Sequence, residues 1–518
     1  MMGHKESAQL IQSINELARE YWKRPGQLRD HLKNCEEPFP SRPDTVKHVA
    51  FFFHGLGIGG GERVTCKLAE ILRDAGYETT IITNLPLCES EGQSLPKGVN
   101  HVQIPSYTEV NAQTYSRRSD AIAETISTMH IDAVVFCQWF SEALPFDLLT
   151  TKACGALAYL YIQSSFSLFF LDANLPSDYA ELPLTYSFAD RVISLSDVDQ
   201  LVWSGFNANS VSTYNPPSEP LPKKLAPLNG HHVVWPARLH VDKCPGRVIP
   251  IMKELVKLVP DVVLHMVGPV EESYKDRFES SILDNNLVNH ILIEGPRSPE
   301  SMINLYMNSD AYLLTSKREG WSLALAEAMA AGLPCVIYDL PYLTLVQKNP
   351  SILRVPQGNA VEAANALARV LLNKTEAHER ALEGRAAVEQ VYSYDIADFW
   401  QGCFTEDCTE AKPGPSNANN QIMWNELIRS YAEHLRAIET ERADLIERLK
   451  SALTDNYHRD LELNGLTVEL RHNQNEITAI RNSISYKVGR ILTLLPRKLR
   501  TILRRLHLRS SNSKSDKQ

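Results

Sequence analysis

The sequence predicts an α/β protein. Two successive parallel-sheet domains face each other across a cleft, followed by a long C-terminal helix and a basic amphipathic tail. Three observations carry this. From Lys47 onward, short β-branched and aromatic runs alternate with amphipathic helical segments, the pattern of a parallel sheet with crossover helices. The alternation pauses at the proline-rich stretch Tyr214 to Pro222 and then starts again. Beyond residue 421 the apolar period changes to a heptad.

Residues 1–46 read as an N-terminal helical extension. Leu10, Ile11, Ile14 and Leu17 share one face, and a polar, Pro-containing lead-in follows. The first domain, 47–220, opens with HVAFFF, a run too short for a buried helix. RVTCKLAEILRDAG then has helical spacing and ends on Gly76. YETTIIT, IDAVVFC, ALAYLYI and RVISLS follow as strands. The prolines after Tyr214 suit a stiff connection. The second domain, 221–405, repeats the theme with HHVVWPA, VVLHMVG, HILIEG, AYLLTS and PCVIYD, and a helical segment after Ser393 closes it. Residues 406–420 lie within a polar, Gly- and Pro-containing linker. In sheets of this kind ligands bind outside the carboxyl ends of the strands.

Residues 421–484 keep one heptad register, with Trp424 at d and Ile428 at a, through to Ile484. Fourteen of the eighteen a and d positions are apolar, which predicts a coiled coil joining a second copy or a partner protein. A single amphipathic helix packed on the body is the alternative. The tail, 485–518, sets Ile491, Leu495, Leu499, Ile502 and Leu506 in a narrow stripe, with Lys498, Arg500, Arg504 and Arg505 off it. That composition suits an anionic membrane surface.

Charge separates the two regions. The chain carries a net −9, yet from Arg481 to Gln518 there are eleven Lys/Arg against one acidic residue, a net of +10 that leaves −19 elsewhere. An acidic body argues against a nucleic-acid binder. Nine scattered cysteines, with no CxxC, predict reduced thiols rather than a disulfide framework or zinc site. The N-terminal residues have no signal-peptide core and no apolar run is long enough to span a bilayer. The expected location is cytoplasmic, peripheral on the inner face of the membrane.

The strongest chemical signal is SKREGWSLALAEAMAAGLPCVIYD. A strand ends near Ser316 and a helix starts near Ser322, with Glu319 before that helix and Glu327 inside it. A helix N-terminus offers free N–H groups to an anion, and Gly320 lets backbone approach closely. A carboxylate on either side can accept from paired sugar hydroxyls. Two weaker signals fail. Gly55-x-Gly57-x-x-Gly60 fits a dinucleotide fingerprint, but the second strand ends in Thr83-Asn84, without the acid that would hold a ribose. Asp197-x-Asp199 looks like a metal-binding pair, but directly after a strand Ser196 or Asp197 is more simply a helix cap.

The Glu319–Glu327 segment resembles the signature of retaining glycosyltransferases of family 4, which have the GT-B fold: Glu, seven residues, Glu, then an "EAMA-G-P-V" run matched by Ala328, Met329, Ala330, Gly332, Pro334 and Val336. WPARLHVDKCPG is similar to that family's "GRL…K-G" segment. LHMVGP, IEGPRSPESMINLYMNSDAYLL and the opening GIGGGERV match in order, so the resemblance spans Val46 to Trp400. It implies a cytoplasmic-face transferase for surface polysaccharide, using a nucleotide-sugar donor, a lipid-linked or growing saccharide acceptor, and no metal or cofactor. Arg238 and Lys243 would neutralise the diphosphate, with Glu319 on the sugar and Glu327 on the ribose. The amides of Gly320, Trp321, Ser322 and Leu323 would hold the distal phosphate. Gly295 and Arg297 would lie near the base, and Gly60 and Gly61 would close over the phosphate and sugar. Where many relatives have an acceptor-side His, this chain has Gln163; His54 is a possible substitute. An epimerase of the same fold and a catalytically degenerate coiled-coil scaffold remain alternatives.

Overall fold

The computed structural model describes residues 4–23, 39–87, 92–171, 177–347, 349–405, 442–446 and 460–482. It divides into two compact units. One holds both sheet domains; the other holds Ser167–Leu171 and the C-terminal helix.

In the first domain β1 (His48–Phe53) lies between β2 (Glu78–Thr83) and β4 (Ala133–Phe136). With β3 (Asn100–Gln103), β5 (Leu157–Tyr161), β6 (Arg191–Ser194) and β7 (Ser210–Ser212) it makes a parallel sheet of order β3-β2-β1-β4-β5-β6-β7. β4, β5 and β6 are buried along their whole length, as strands covered on both faces must be. The crossover helices include α2 (Gly60–Asp74), α3 (Tyr115–Met129), α4 (Leu144–Ala153) and α6 (Asp197–Trp203); α5 (Ser167–Leu171) belongs to the second unit.

The N-terminal helix α1 (His4–Lys23) covers α3 and α4. Leu10, Ile14, Ala18 and Tyr21 bury against Tyr115, Phe146 and Leu149, and Trp22 Nε1 donates to Glu142 at 3.3 Å. The predicted amphipathic face is thus an inner wall of the first domain.

The second sheet runs β10-β9-β8-β11-β12-β13, again all parallel, from β8 (His232–Pro236), β9 (Val263–Val267), β10 (Ile291–Ile293), β11 (Ala311–Leu314), β12 (Cys335–Tyr338) and β13 (Leu353–Val355). Its helices are α7 (Val248–Leu258), α8 (Glu272–Asp284), α9 (Pro299–Met307), α10 (Leu323–Ala330), α11 (Ala360–Leu372) and α12 (Lys374–Tyr392). Chain order reverses between β1 and β4 in the first sheet and between β8 and β11 in the second. Those are the topological switch points where a crevice opens. The glycine loop follows β1, Arg238 and Lys243 follow β8, and Glu319 follows β11.

The helix after Ser393, α13 (Ile396–Thr405), packs on the first domain although its sequence position suggests the second. Trp400 is fully buried, with its ring edge-on to Phe51 and Tyr161 at 6.4 and 5.6 Å, and the Tyr159 hydroxyl donates to the Cys403 carbonyl at 3.1 Å. Large aromatics, rather than any local signal, draw it there.

The second unit contains α14 (Asp460–Asn482), against which α5 packs. Leu466, Asn473, Ile477 and Ile480 are buried and occupy predicted a and d positions; Glu476, outside them, is buried too. Apart from 442–446, the rest of the predicted coiled coil lies outside the described residues, as do the 406–420 linker and the basic tail. No helix among the described residues is long and apolar enough to cross a membrane.

Candidate functional site

The cleft walls meet where only glycine fits. A Cβ on Gly320 would lie 2.5 Å from the Gln163 carbonyl oxygen and 2.8 Å from Ser164 Cα. A Cβ on Gly61 would come within 2.9 Å of the Phe53 ring and 3.2 Å of Gln163 Oε1, and one on Gly60 would touch Leu323 at 3.5 Å. The first residue of α2 therefore sits opposite the first residue of α10, with both N-termini at the junction of the domains.

On the second domain, Lys243 Nζ and Glu319 Oε1 form an ion pair at 2.6 Å, and Ser316 Oγ donates to the same oxygen at 2.7 Å. The Glu319 N–H donates to the Tyr342 hydroxyl at 3.3 Å. Arg318 pairs with Asp242 at 2.9 Å, which ties the loop after β8 to the loop after β11. Arg238 is exposed, and among the described residues it has no ion pair within 4 Å. Its charge is felt by Glu62 of α2, whose carboxyl burial raises and Arg238 helps to lower.

Ser322, the residue before α10, has φ 67° and ψ 77°, a left-handed conformation unusual for a side-chain-bearing residue. Its side chain does not cap the helix, so the first amides of α10 keep their donors for another acceptor. Strain of this kind persists where surrounding structure enforces it. The Trp321 side chain is buried against Tyr214, whose ring in turn packs at a tilt on Tyr394. Only the backbone of Trp321 is therefore available to a ligand, and its indole anchors the interdomain connection.

Glu327 lies deeper. Its Oε1 receives Arg63 Nη1 at 2.8 Å from across the cleft, and its Oε2 receives the Tyr306 hydroxyl at 3.0 Å. Burial pushes its carboxyl above the ordinary range, opposed by Arg63, Tyr306 and the nearby Ser218 hydroxyl. Glu327, Arg63, Tyr306, Arg297 and Ile58 line one cavity of about 170 Å³ that both domains share. Arg297 pairs with Glu294, whose other oxygen lies 2.5 Å from His265 Nδ1. Gly295 has φ 67°, and its carbonyl accepts the Gly268 N–H at 3.0 Å. A Cβ on Gly268 would overlap the Ala237 carbonyl at 2.2 Å, so the loops after β8, β9 and β10 are laced through backbone.

On the first domain, both polar atoms of the Gln163 amide are buried without a hydrogen-bond partner, beside the Cys137 thiol. Burial pushes that thiol up to about 12, so it stays protonated. The His54 ring packs against Tyr107 at 4.9 Å, and its Nδ1 lies 3.5 Å from Asn84 Oδ1. The Asp197-x-Asp199 pair is local structure. Ser196 caps α6, and the fully buried Asp199 accepts from Ser196 Oγ at 2.5 Å and from the Phe166 N–H at 2.7 Å. Asp197 accepts from Ser212.

The structure thus gathers Arg238, Lys243, Glu319 and Glu327 with the glycines and Gln163 around one cleft. Sequence reading missed Arg63 and Tyr306. Arg63 sits one turn into a helix with a Gly-rich start, a position from which a cation can reach over the opening. Nothing local to Tyr306 signals its partner.

Comparison with known proteins adds the family context. Residues 221–386 match the family described as Glycosyl transferases group 1, so the second domain is a domain of that kind. An uncharacterized glycosyltransferase of Haemophilus influenzae is 25% identical over 370 residues, covering 69% of this chain and 99% of that protein. The UDP-Gal:alpha-D-GlcNAc-diphosphoundecaprenol alpha-1,3-galactosyltransferase of Escherichia coli is 32% identical over 142 residues, covering 26% of this chain and 35% of that one. The first relative is spanned almost completely, the second by about a third. A Staphylococcus aureus TarM variant solved with fondaparinux, alpha-GlcNAc-glycerol and UDP superposes with a TM-score of 0.57 at 13% identity, over 70% of this chain and 100% of TarM. The two-sheet body has the GT-B fold.

Proposed function

We propose that the protein is a retaining glycosyltransferase of family 4 that moves a sugar from a UDP-linked donor to a growing or lipid-linked saccharide in cell-surface glycan synthesis. One observation carries this reading. Two facing switch points bring together Arg238 and Lys243, the uncapped α10 N-terminus, and two carboxylates with seven residues between them. The UDP bound by TarM and the UDP-linked donor in the name of the E. coli enzyme support uracil as the base.

In the proposed reaction the bond between the sugar carbon and the diphosphate breaks, the acceptor oxygen bonds to that carbon, and the acceptor proton and UDP leave. Arg238 and Lys243 neutralise the departing diphosphate, and the Gly320–Leu323 amides receive its distal phosphate. Preorganised positive charge aimed at a leaving group is a strong catalytic device, and it calls for no metal or cofactor here. Glu319 accepts from sugar hydroxyls while Lys243 and Ser316 hold its other lone pairs. Glu327 accepts from the ribose, and Arg297 and Gly295 border the base. Gly60 and Gly61 let α2 approach the donor. Gln163 orients a hydroxyl without titrating. The basic tail holds the enzyme at the inner membrane face, and the heptad segment ahead of α14 joins copies or a partner.

The test is incubation of the full chain with UDP-, GDP-, ADP- and dTDP-sugars and membrane extract. UDP-sugar binding and a glycosylated product are expected; failure to bind any nucleotide sugar overturns the reading. An epimerised nucleotide sugar formed without acceptor would instead assign an epimerase.

A further inference from the structure

Arg63 has no place in the reading above, yet it pairs with Glu327 from the opposite domain. It projects from α2, 37% exposed, and reaches Glu327 Oε1 at 2.8 Å across 264 residues of sequence. The guanidinium end of this pair is open to water, so fold energetics alone give little reason for it. Its position does. Arg63, Glu327 and Arg297 line the same cavity.

We infer that Arg63 is a donor-positioning residue: its guanidinium fixes one oxygen of Glu327, so the ribose-binding carboxylate is built by both domains and is complete only when they face each other. This rests on the donor role proposed for Glu327. An ionised carboxylate has about four acceptor positions. Arg63 occupies one on Oε1 and Tyr306 one on Oε2. The Ser218 hydroxyl nearby is a rotatable donor that a ribose hydroxyl can replace. The arrangement leaves each oxygen an acceptor position for the vicinal 2′ and 3′ hydroxyls. It also orients the plane of the carboxylate before the donor arrives, which lowers the cost of binding.

Charge works in the same direction. Burial raises the Glu327 carboxyl, and Arg63 is the largest influence opposing that. The other ionisable groups around it are Tyr306 of α9, Tyr312 of β11, Tyr392 of α12, Glu219 of the interdomain connection and Arg297 of the base-side loop. The tyrosines are all raised by burial and stay neutral, leaving Arg63 as the nearby cation in direct contact. Without it, Glu327 takes up its proton at higher pH.

The experiment measures UDP-glucose and 2′-deoxy-UDP-glucose binding to the full chain and its R63Q, R63K, E327Q and R63Q/E327Q variants between pH 5 and 8. R63Q is expected to weaken UDP-glucose at least tenfold at pH 7 and to move the acid limb of binding to higher pH, with R63K recovering part of both. The 2′-deoxy penalty shrinks in R63Q, and R63Q adds little in the E327Q background. UDP-glucose binding to R63Q within twofold of wild type, with an unmoved acid limb, overturns the inference while leaving the donor reading intact. Wild-type protein that binds neither ligand, nor UDP alone, overturns both.

Discussion

Lys243 and Glu319 hold each other at 2.6 Å from opposite sides of the β8/β11 switch point. The Glu319 side chain is only 8% exposed and Lys243 24%, so this pair has exchanged much of its water for each other and for Ser316. Removing one partner strands the other in a desolvated cleft.

K243A is therefore expected to lower kcat/KM by about two to three orders of magnitude. K243R should not restore it, because a planar fork cannot take the place of a compact ammonium in this slot. Steady-state transfer kinetics with a UDP-sugar check both variants.

G320A should disconnect the domains without unfolding them. The new methyl meets the Gln163 carbonyl at 2.5 Å, and that clash lies across the cleft rather than inside either core. Transfer activity is expected to fall at least a hundredfold while the melting temperature stays within about 3 °C of wild type. A large drop in melting temperature would place the contact in the folding core instead.

Q163A should lose turnover and gain stability. The buried amide has at best the weakly bonding Cys137 thiol beside it, and truncation removes part of a desolvation cost of roughly 1–3 kcal/mol. A loss of both activity and stability would show that the amide is already satisfied in the free enzyme. Thermal melting and transfer assays on the same preparation decide it.

Asp199 gives a stability signature in pH. Burial raises its carboxyl to about 7, above its unfolded value, so the folded state binds the extra proton. Its stabilising contribution is fully present below its unfolded pKa and is lost as pH rises through about 7. D199N keeps an acceptor oxygen for the Phe166 N–H but cannot ionise. Relative to wild type, its melting temperature should therefore rise between pH 4 and 7.5. A pH-independent difference would refute the assignment.

Deleting 485–518 should abolish sedimentation with anionic vesicles while leaving UDP-sugar hydrolysis in place. Binding by the full chain should weaken with added salt, since the attraction arises from basic residues at a charged surface.

The sequence made the central strands readable because a parallel sheet buried on both faces writes continuous apolar runs such as AVVF and CVIY. β3, β7 and β13 went unread. They are short edge strands, and NHVQ and SVS carry too little hydrophobic patterning to separate them from loops. Ser196 was legible as a cap because its bond to the Asp199 amide is local. The Arg63–Glu327 pair, the burial of Trp321 on Tyr214 and the docking of α13 were not, since each depends on residues far apart in the chain. Glu319 and Glu327 stood out by spacing; which of their lone pairs are already taken is visible only in three dimensions.

The return of α13 to the first domain means that the chain passes between the two sheets twice, once after β7 and once after α12. A body tied at one point can swivel freely, whereas one tied at two points turns about the line joining them. Any opening between the lobes would then follow a single arc, which would steer Gly320 back toward the same carbonyl.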